Sequence, residues 1–283
     1  MSNLKSKDII VCSIVRDARS ALKRNIPRLE EFCSAFRDYR VVVYENDSVD
    51  GTPCILNRWK ERNPHVHVIS EKLGIKKTIP DDKDLSCNPF FSCSRIEKMA
   101  FYRNRYLDYV RMMGWTADYL MVLDLDVARI FPEGMLSCFK DDLAWDVVTA
   151  FGYSLSPSLK IRYHDSYALV EYGRDKEPQT EKSIREAASR LAYLRESQDW
   201  LRVYSAFGGI SIFRFPLLDG LSYQVVRNDD AQVECRAEHF SLFQQMEADR
   251  LQVYINPQMQ VNYQSLNLNI VLRYLRRLFR SSR

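Results

Sequence analysis

Asp124 and Asp126 close an otherwise apolar run, LMVLDLDV at 120–127, with one residue between them. On a strand, residues i and i+2 point to the same side, so this spacing sets two carboxylates together at the end of a buried strand. Two uncompensated buried charges are prohibitively costly. The chemistry therefore asks for a cation, and a divalent metal carrying a phosphate ester supplies one. Mn2+ or Mg2+ would take oxygen ligands here and leave positions open for substrate phosphates. The plain alternative is a strand end solvated by aspartate.

Other residues carry a similar choice of readings. Glu45, Asn46, Asp47 and Asp50 fall in the turn ENDSVDGT after a second apolar strand. They suit the base or ribose hydroxyls of a nucleotide, or an Asx-turn that solvates its own charges. In the segment 95–113, Ile96, Met99, Ala100, Tyr106, Leu107 and Val110 form one helical stripe. At ~100° per residue Arg103 falls within that stripe. A buried arginine must find anions or carbonyls, either a sheet-end carboxylate or a diphosphate. Arg95 lies nearer the N-terminus of the same helix, an end that itself favours phosphate. Glu238 and His239 open a short helix, AEHFSLFQQM. His239 could complete the metal shell and Glu238 could act as general base, or Glu238 simply favours the helix dipole beside a surface histidine. Asp165, in the aromatic YHDSYAL, faces a sugar or is a solvated loop residue. Gly208-Gly209 marks close approach of a ligand or a bulge in the expected strand 205–213. His65 and His67 alternate on a short strand and read as structural.

The elements that must position these groups alternate in the first half. Strands are expected at 8–15, 40–44, 66–69 and 119–125, and helices at 20–37, 52–62 and 95–113. The last opens on the capping pattern Ser94-Arg95-Ile96-Glu97. Such alternation implies a mostly parallel sheet, whose ligands sit beyond the C-terminal strand ends. Both acidic turns lie at such ends. The second half reads as a strand at 145–151, a long polar loop at 153–182, a helix at 184–197, the Gly-Gly strand, a helix near 238–248 and a strand at 251–255.

Composition sets the frame. A chain of 283 residues with 46% hydrophobic content builds a full core. With 41 basic and 37 acidic residues the charge is nearly balanced, and no nucleic-acid partner is expected. Seven cysteines form no CxxC pair. An odd count without a signal region is expected to be reduced thiols in a cytoplasmic protein. No apolar run reaches the ~18 residues of a membrane span.

In order along the chain, YENDSVDGT (44–52), RIEKMAFYRNRYLDYV (95–110), YLMVLDLDV (119–127), YHDSYAL (163–169), SAFGGISIF (205–213) and AEHFSLF (237–243) resemble the capsule-associated α-1,3-mannosyltransferase family of fungi. The resemblance implies an α/β fold of the GT-A glycosyltransferase type: a Rossmann-like sheet flanked by helices, with a C-terminal acceptor-side lobe. It divides residues 1–265 into a nucleotide-sugar half, 8–130, and an acceptor half, 131–265. It implies that Glu45 and Asp47 border the nucleotide, that Arg103 lies by the diphosphate and that Asp124 and Asp126 hold Mn2+ or Mg2+. Asp165 would face donor sugar or acceptor, and Glu238 and His239 would close the site. Two departures leave donor and linkage open: the fungal proteins carry an N-terminal anchor not seen here, and the DxD is fuller than the family's acidic motif.

The function expected is transfer of a sugar, mannose being one candidate, from a GDP- or UDP-sugar to a glycan or lipid-linked glycan hydroxyl. A haloacid-dehalogenase-type phosphatase also uses an apolar-strand DxD, but Ala128 stands where it has Thr or Val and a long α/β stretch precedes the motif. An inactive sugar-binding module on the same fold is the other alternative. Finally, 266–283 interleaves Leu268, Val271, Leu272, Leu275, Leu278 and Phe279 with Arg273, Arg276, Arg277, Arg280 and Arg283. A basic amphipathic helix there would suit an anionic membrane surface, placing the protein on its inner face, or would dock on the domain.

Overall fold

An unbroken apolar run such as 8–15 fits a strand covered on both faces, and it forms β1 (Asp8–Val15), the centre of the first half. In the computed structural model, which describes residues 4–75, 88–140, 143–156 and 158–264, the next elements follow the expected alternation. They are α1 (Arg19–Cys33), β2 (Asp38–Asn46), α2 (Thr52–Arg62), β3 (Val66–Glu71), α3 (Cys93–Met112) and β4 (Tyr119–Leu123). β2, β3 and β4 join β1 in an all-parallel array, β3-β2-β1-β4. α1 buries Leu22, Ile26, Leu29, Phe32 and Cys33 at helical spacing.

The second half contains β5 (Arg129–Ile130), α4 (Pro132–Ser137), β6 (Val147–Leu155), β7 (Ile161–Tyr163), β8 (Val170–Glu171) and α5 (Glu181–Arg190), then β9 (Leu201–Ser205), β10 (Ile210–Arg214), α6 (Glu238–Gln245) and β11 (Val253–Asn262). The sheet continues as β4-β10-β6-β11-β9-β8, with β5 on β11 and β7 on β6. Along this path only β10 and β9 oppose the other strands. The result is a mixed, mostly parallel sheet flanked by helices. Alternate side chains of each strand feed two cores. Ile10, Val42, Val122 and Phe213 pack with Tyr106 of α3 and Phe243 of α6, whereas Val11, Val43, Met121 and Ile212 pack with Leu22 of α1 and Trp59 of α2.

Several local expectations shift. The cap of α3 is Ser92, whose hydroxyl accepts from the Arg95 N–H, instead of Ser94. α5 starts at Glu181 because Thr180 and Ser183 form a reciprocal capping box, and 191–196 continues as a tighter turn. The Gly-Gly strand is two strands: Gly208 and Gly209 have φ of +62° and +92°, left-handed values that end β9 and turn the chain into β10. The polar loop 153–182 contributes the pairing strands β7 and β8.

The expectation of reduced thiols is corrected at one pair. Cys93 and Cys235 are disulfide-bonded with Cα atoms 5.2 Å apart, across a sequence separation of 142 residues that hid the pairing. The bond joins the start of α3 to the segment entering α6, where the Cys93 N–H also donates to the Glu234 carboxylate at 2.9 Å. Cys12, Cys33 and Cys138 are buried free thiols and Cys54 an exposed one; Cys87 lies outside the described residues. So does the expected helix at 266–283. Among the described residues, no helix is long and apolar enough to cross a membrane.

Candidate active site

The C-terminal ends of β1, β2 and β4 share one edge of the sheet, where ligands of such sheets gather. β4 stops at Leu123, so the acidic pair lies in the turn beyond it and the strand-alternation argument lapses: Asp124 is half-buried and Asp126 exposed. That turn is pinned from beneath by Asn25 of α1. Its buried amide donates to the Leu125 carbonyl at 3.1 Å and the Val127 carbonyl at 2.8 Å. On the other side the Asp124 N–H donates to the Gly209 carbonyl at 2.9 Å.

Arg103 is where the helical stripe placed it, only 2% exposed. Its Nε donates to Glu238 Oε1 at 2.9 Å and its Nη2 reaches Asp124 Oδ1 at 3.4 Å. The guanidinium lies 5.0 Å from the centre of the Phe207 ring. Nη1 is buried and has no hydrogen-bond partner among the described residues. α3, β4 and α6 thus meet at one arginine that holds two carboxylates and has a donor left over.

The acids around it differ in state. Burial would raise Glu238, but the nearby Arg103, with His239 and Arg95 adding to it, holds its carboxyl down at about 2. Asp165 accepts from the Gly208 N–H at 3.2 Å; burial, then repulsion from Glu238, pushes it up to about 6. Burial also raises Asp124, against the pull of Arg103 and with Asp126 adding to the rise. Arg103 itself stays protonated, because the surrounding acids outweigh its burial.

His239 is buried rather than superficial. Its ring stacks on Phe207 with centroids 3.8 Å apart, and Nε2 is 3.6 Å from Glu238 Oε1. Neither ring nitrogen has a hydrogen-bond partner among the described residues, and burial followed by the charge of Arg103 keeps the imidazole neutral. The described residues contain no cluster of three or more His, Cys, Asp or Glu side chains able to hold a metal ion. Asp124 and Asp126 lie in the turn past β4, and His239 in the first turn of α6. The oxygen donors of the turn still suit Mn2+ or Mg2+, which are commonly held by one or two carboxylates while phosphates and water fill the shell.

The residues expected at the nucleotide make hydrogen bonds within the protein. Glu45 is buried, accepting from the Ser48 N–H at 2.9 Å and from the Ser70 hydroxyl. Asp47, at φ +54°, accepts from the N–H groups of Leu73, Gly74 and Ile75 at 2.8, 2.9 and 3.1 Å. Both carboxylates thereby build the loops after β2 and β3. Arg95 donates to the Phe90 carbonyl at 3.2 Å with its guanidinium 4.2 Å from the Phe90 ring centre, and reaches the site only through its charge.

Sequence reasoning missed Asn25, Phe207, Tyr223 and Tyr263. Tyr223 accepts from the Tyr106 hydroxyl at 3.0 Å beside Arg103, and the Tyr263 hydroxyl donates to Asp124 Oδ2 at 3.4 Å. A neutral residue in a loop or at a strand end carries no signal that it will face a charged cluster far away in sequence. Asn25 alone had one, a polar residue inside an apolar helical stripe.

A parallel α/β half joined through one antiparallel strand to a second half, with the acidic pair just past the strand at the junction, defines a GT-A-type glycosyltransferase. The chain belongs to the Cryptococcal mannosyltransferase 1 family, whose model matches residues 8–245. No curated protein matches it in sequence. Similar solved structures include a mannosyltransferase from Pyrobaculum calidifontis in complex with GDP-Man and Mn2+ (12% identity over 97% of this chain and 65% of that one, TM-score 0.48). Another is S. aureus TarS 1-349 in complex with UDP (12% identity, 95% and 63%, TM-score 0.46). A third is glucosyl-3-phosphoglycerate synthase from Mycobacterium tuberculosis in complex with phosphoglyceric acid (13%, 96% and 77%, TM-score 0.43). The chain thus spans just under two thirds of the first two proteins.

Proposed function

We propose that this protein moves a mannosyl residue from a nucleotide-diphosphate mannose, GDP-mannose being the first choice, to a hydroxyl of a glycan or lipid-linked glycan. One observation carries the reading: a fully buried, protonated Arg103 with an unpartnered Nη1, at the strand end that bears Asp124 and Asp126. The guanidinium is paired with Glu238 and Asp124, but a buried donor left without an acceptor is costly, and a diphosphate oxygen would supply one. The family's name supports mannose, and the Pyrobaculum structure supports GDP and Mn2+ for that relative.

In this reading Asp124 and Asp126 would hold a divalent ion, whose chemistry there is to neutralise the diphosphate leaving group. Arg103 adds a fixed positive charge that needs no reorganisation as the leaving group departs. Glu238, drawn down by Arg103, is too weak a base for a hydroxyl proton and serves to orient the guanidinium. Asp165 is better tuned, since a general base works best with its pKa near the working pH. It would accept the acceptor proton if the reaction inverts. Phe207 and the neutral His239, stacked on each other and buried, would back the Arg103 guanidinium from beneath.

Titration calorimetry with GDP and UDP, with and without Mn2+, tests the core of this. The expected result is nucleotide affinity raised by Mn2+, with that enhancement reduced about tenfold or more in Asp126→Ala, the scale on which partners of a metal site act. Absence of binding by both nucleotides overturns it. The cytoplasmic placement now competes with the Cys93–Cys235 bond, which persists in oxidising compartments; mobility of the native protein on non-reducing gels separates the two. A peripheral membrane contact through 266–283 accords with a lipid-linked acceptor.

A further inference from the structure

Tyr263 lies just past β11 and beyond the 8–245 span that the family match covers. Its N–H donates to the Tyr153 carbonyl at 3.0 Å, extending the β11–β6 ladder by one residue toward the site. The side chain is seated with unusual care. Its ring stacks on His164 with centroids 3.9 Å apart and planes 23° from parallel, and His164 is anchored by its Nδ1 to the Ser154 hydroxyl at 2.9 Å. Beneath the ring lie two glycines that could carry no side chain. A Cβ on Gly152 would come within 2.7 Å of Tyr263 Cε2, and one on Gly209 within 2.9 Å of its hydroxyl oxygen. Gly209 is also the residue whose carbonyl takes the Asp124 N–H. The ring therefore occupies a fitted slot, and the slot aims its hydroxyl at Asp124 Oδ2, 3.4 Å away.

We infer that Tyr263 is the positioning residue of the acidic turn, acting through Asp124; this rests on the reading of Asp124 and Asp126 as the metal and diphosphate site. Arg103 takes one oxygen of the Asp124 carboxylate and Tyr263 the other. The two donors, from α3 and from the end of β11, fix the plane of the carboxylate between them. A carboxylate so held presents its remaining lone pairs in one direction. Without the tyrosine hydroxyl it is free to swing about its bond to Cβ, and a metal would have to restrain it at its own expense.

The decisive variant is Tyr263→Phe, which keeps the ring, the stacking on His164 and the glycine slot. Calorimetry measures GDP and UDP binding with and without Mn2+, and a thermal melt is recorded on the same samples. The Mn2+ enhancement of nucleotide affinity is expected to fall between about three- and tenfold, the effect of deleting one ordinary hydrogen bond. Metal-free nucleotide binding should stay near the wild-type level, and the melting temperature should fall by no more than the loss of one hydrogen bond accounts for. Tyr263→Ala should lose the enhancement at least as far. An unchanged enhancement in Tyr263→Phe overturns the inference, and loss in Tyr263→Ala alone does the same by reducing Tyr263 to packing. If the wild type itself shows no Mn2+-enhanced binding, the donor-site reading falls first and takes this inference with it.

Discussion

Around Arg103 two carboxyl groups of ordinary chemistry hold opposite protonation tendencies, and the difference is environmental. Glu238 is nearest the guanidinium and is drawn far down, to about 2. Asp165 is pushed up to about 6 by its burial and then by the repulsive field of Glu238. Two experiments separate their roles. If the reaction inverts with Asp165 as its base, Asp165 works only when ionised, so the transfer rate should rise with pH and level off above about 6. Asp165→Asn should lose roughly 10²–10⁴-fold in turnover, the usual worth of a general base, in a radiolabelled-sugar transfer assay. For Glu238 the sign runs through stability: a depressed folded value contributes stability above the ordinary value of 4.5 and surrenders it as pH falls toward about 2. Melting curves of Glu238→Gln should therefore be lower than wild type at pH 7 and should converge with it in acid. Equal curves at pH 7 would contradict an ion pair at this position.

At the scale of elements, the site is a junction of α3, β4 and α6 whose geometry the Cys93–Cys235 bond helps to hold. The bond lies ten residues before Arg103 on one side and three before Glu238 on the other. Closing so long a loop constrains the unfolded chain, an effect that typically stabilises by about 2–4 kcal/mol. Cys93→Ser with Cys235→Ser should lower stability to denaturant by that amount and should weaken nucleotide binding as α6 loosens. A double variant as stable as wild type would mean that the bond does not form in solution. The elements themselves were largely legible beforehand. The 8–15 run, the 52–62 helix and the stripe of α3 carry uninterrupted periodicities, so pattern and fold agree. Boundaries moved where a small polar residue outcompeted a neighbour: Ser92 over Ser94 as the cap of α3, and Thr180 with Ser183 at α5.

For the whole molecule, one sheet passes through both halves of the chain and brings the acids of 124–126, 165 and 238 to one edge. If 266–283 lies on an anionic membrane, its removal should abolish co-sedimentation with anionic liposomes while nucleotide binding persists. Unchanged sedimentation would leave the domain without that contact. The sequence by itself determined the strand-helix alternation, the acidic strand end and the buried placement of Arg103, because each follows from local periodicity and from the cost of burying charge. Which carboxylates that arginine would hold, that Glu45 and Asp47 would be spent on their own loops, and that Cys93 would find Cys235 were decided by tertiary packing. Tyr263 is the clearest instance. Pairing of β11 with β6 jumps from Asn256↔Ala150 to Gln260↔Phe151, a slip of three residues. An odd slip exchanges the two faces of a strand: Val253 and Ile255 feed one core, but Met259, Val261 and Tyr263 pack on the other side. Simple alternation along 253–263 would send Tyr263 to the wrong face. Only the bulge, formed against a strand about a hundred residues away, turns it toward Asp124.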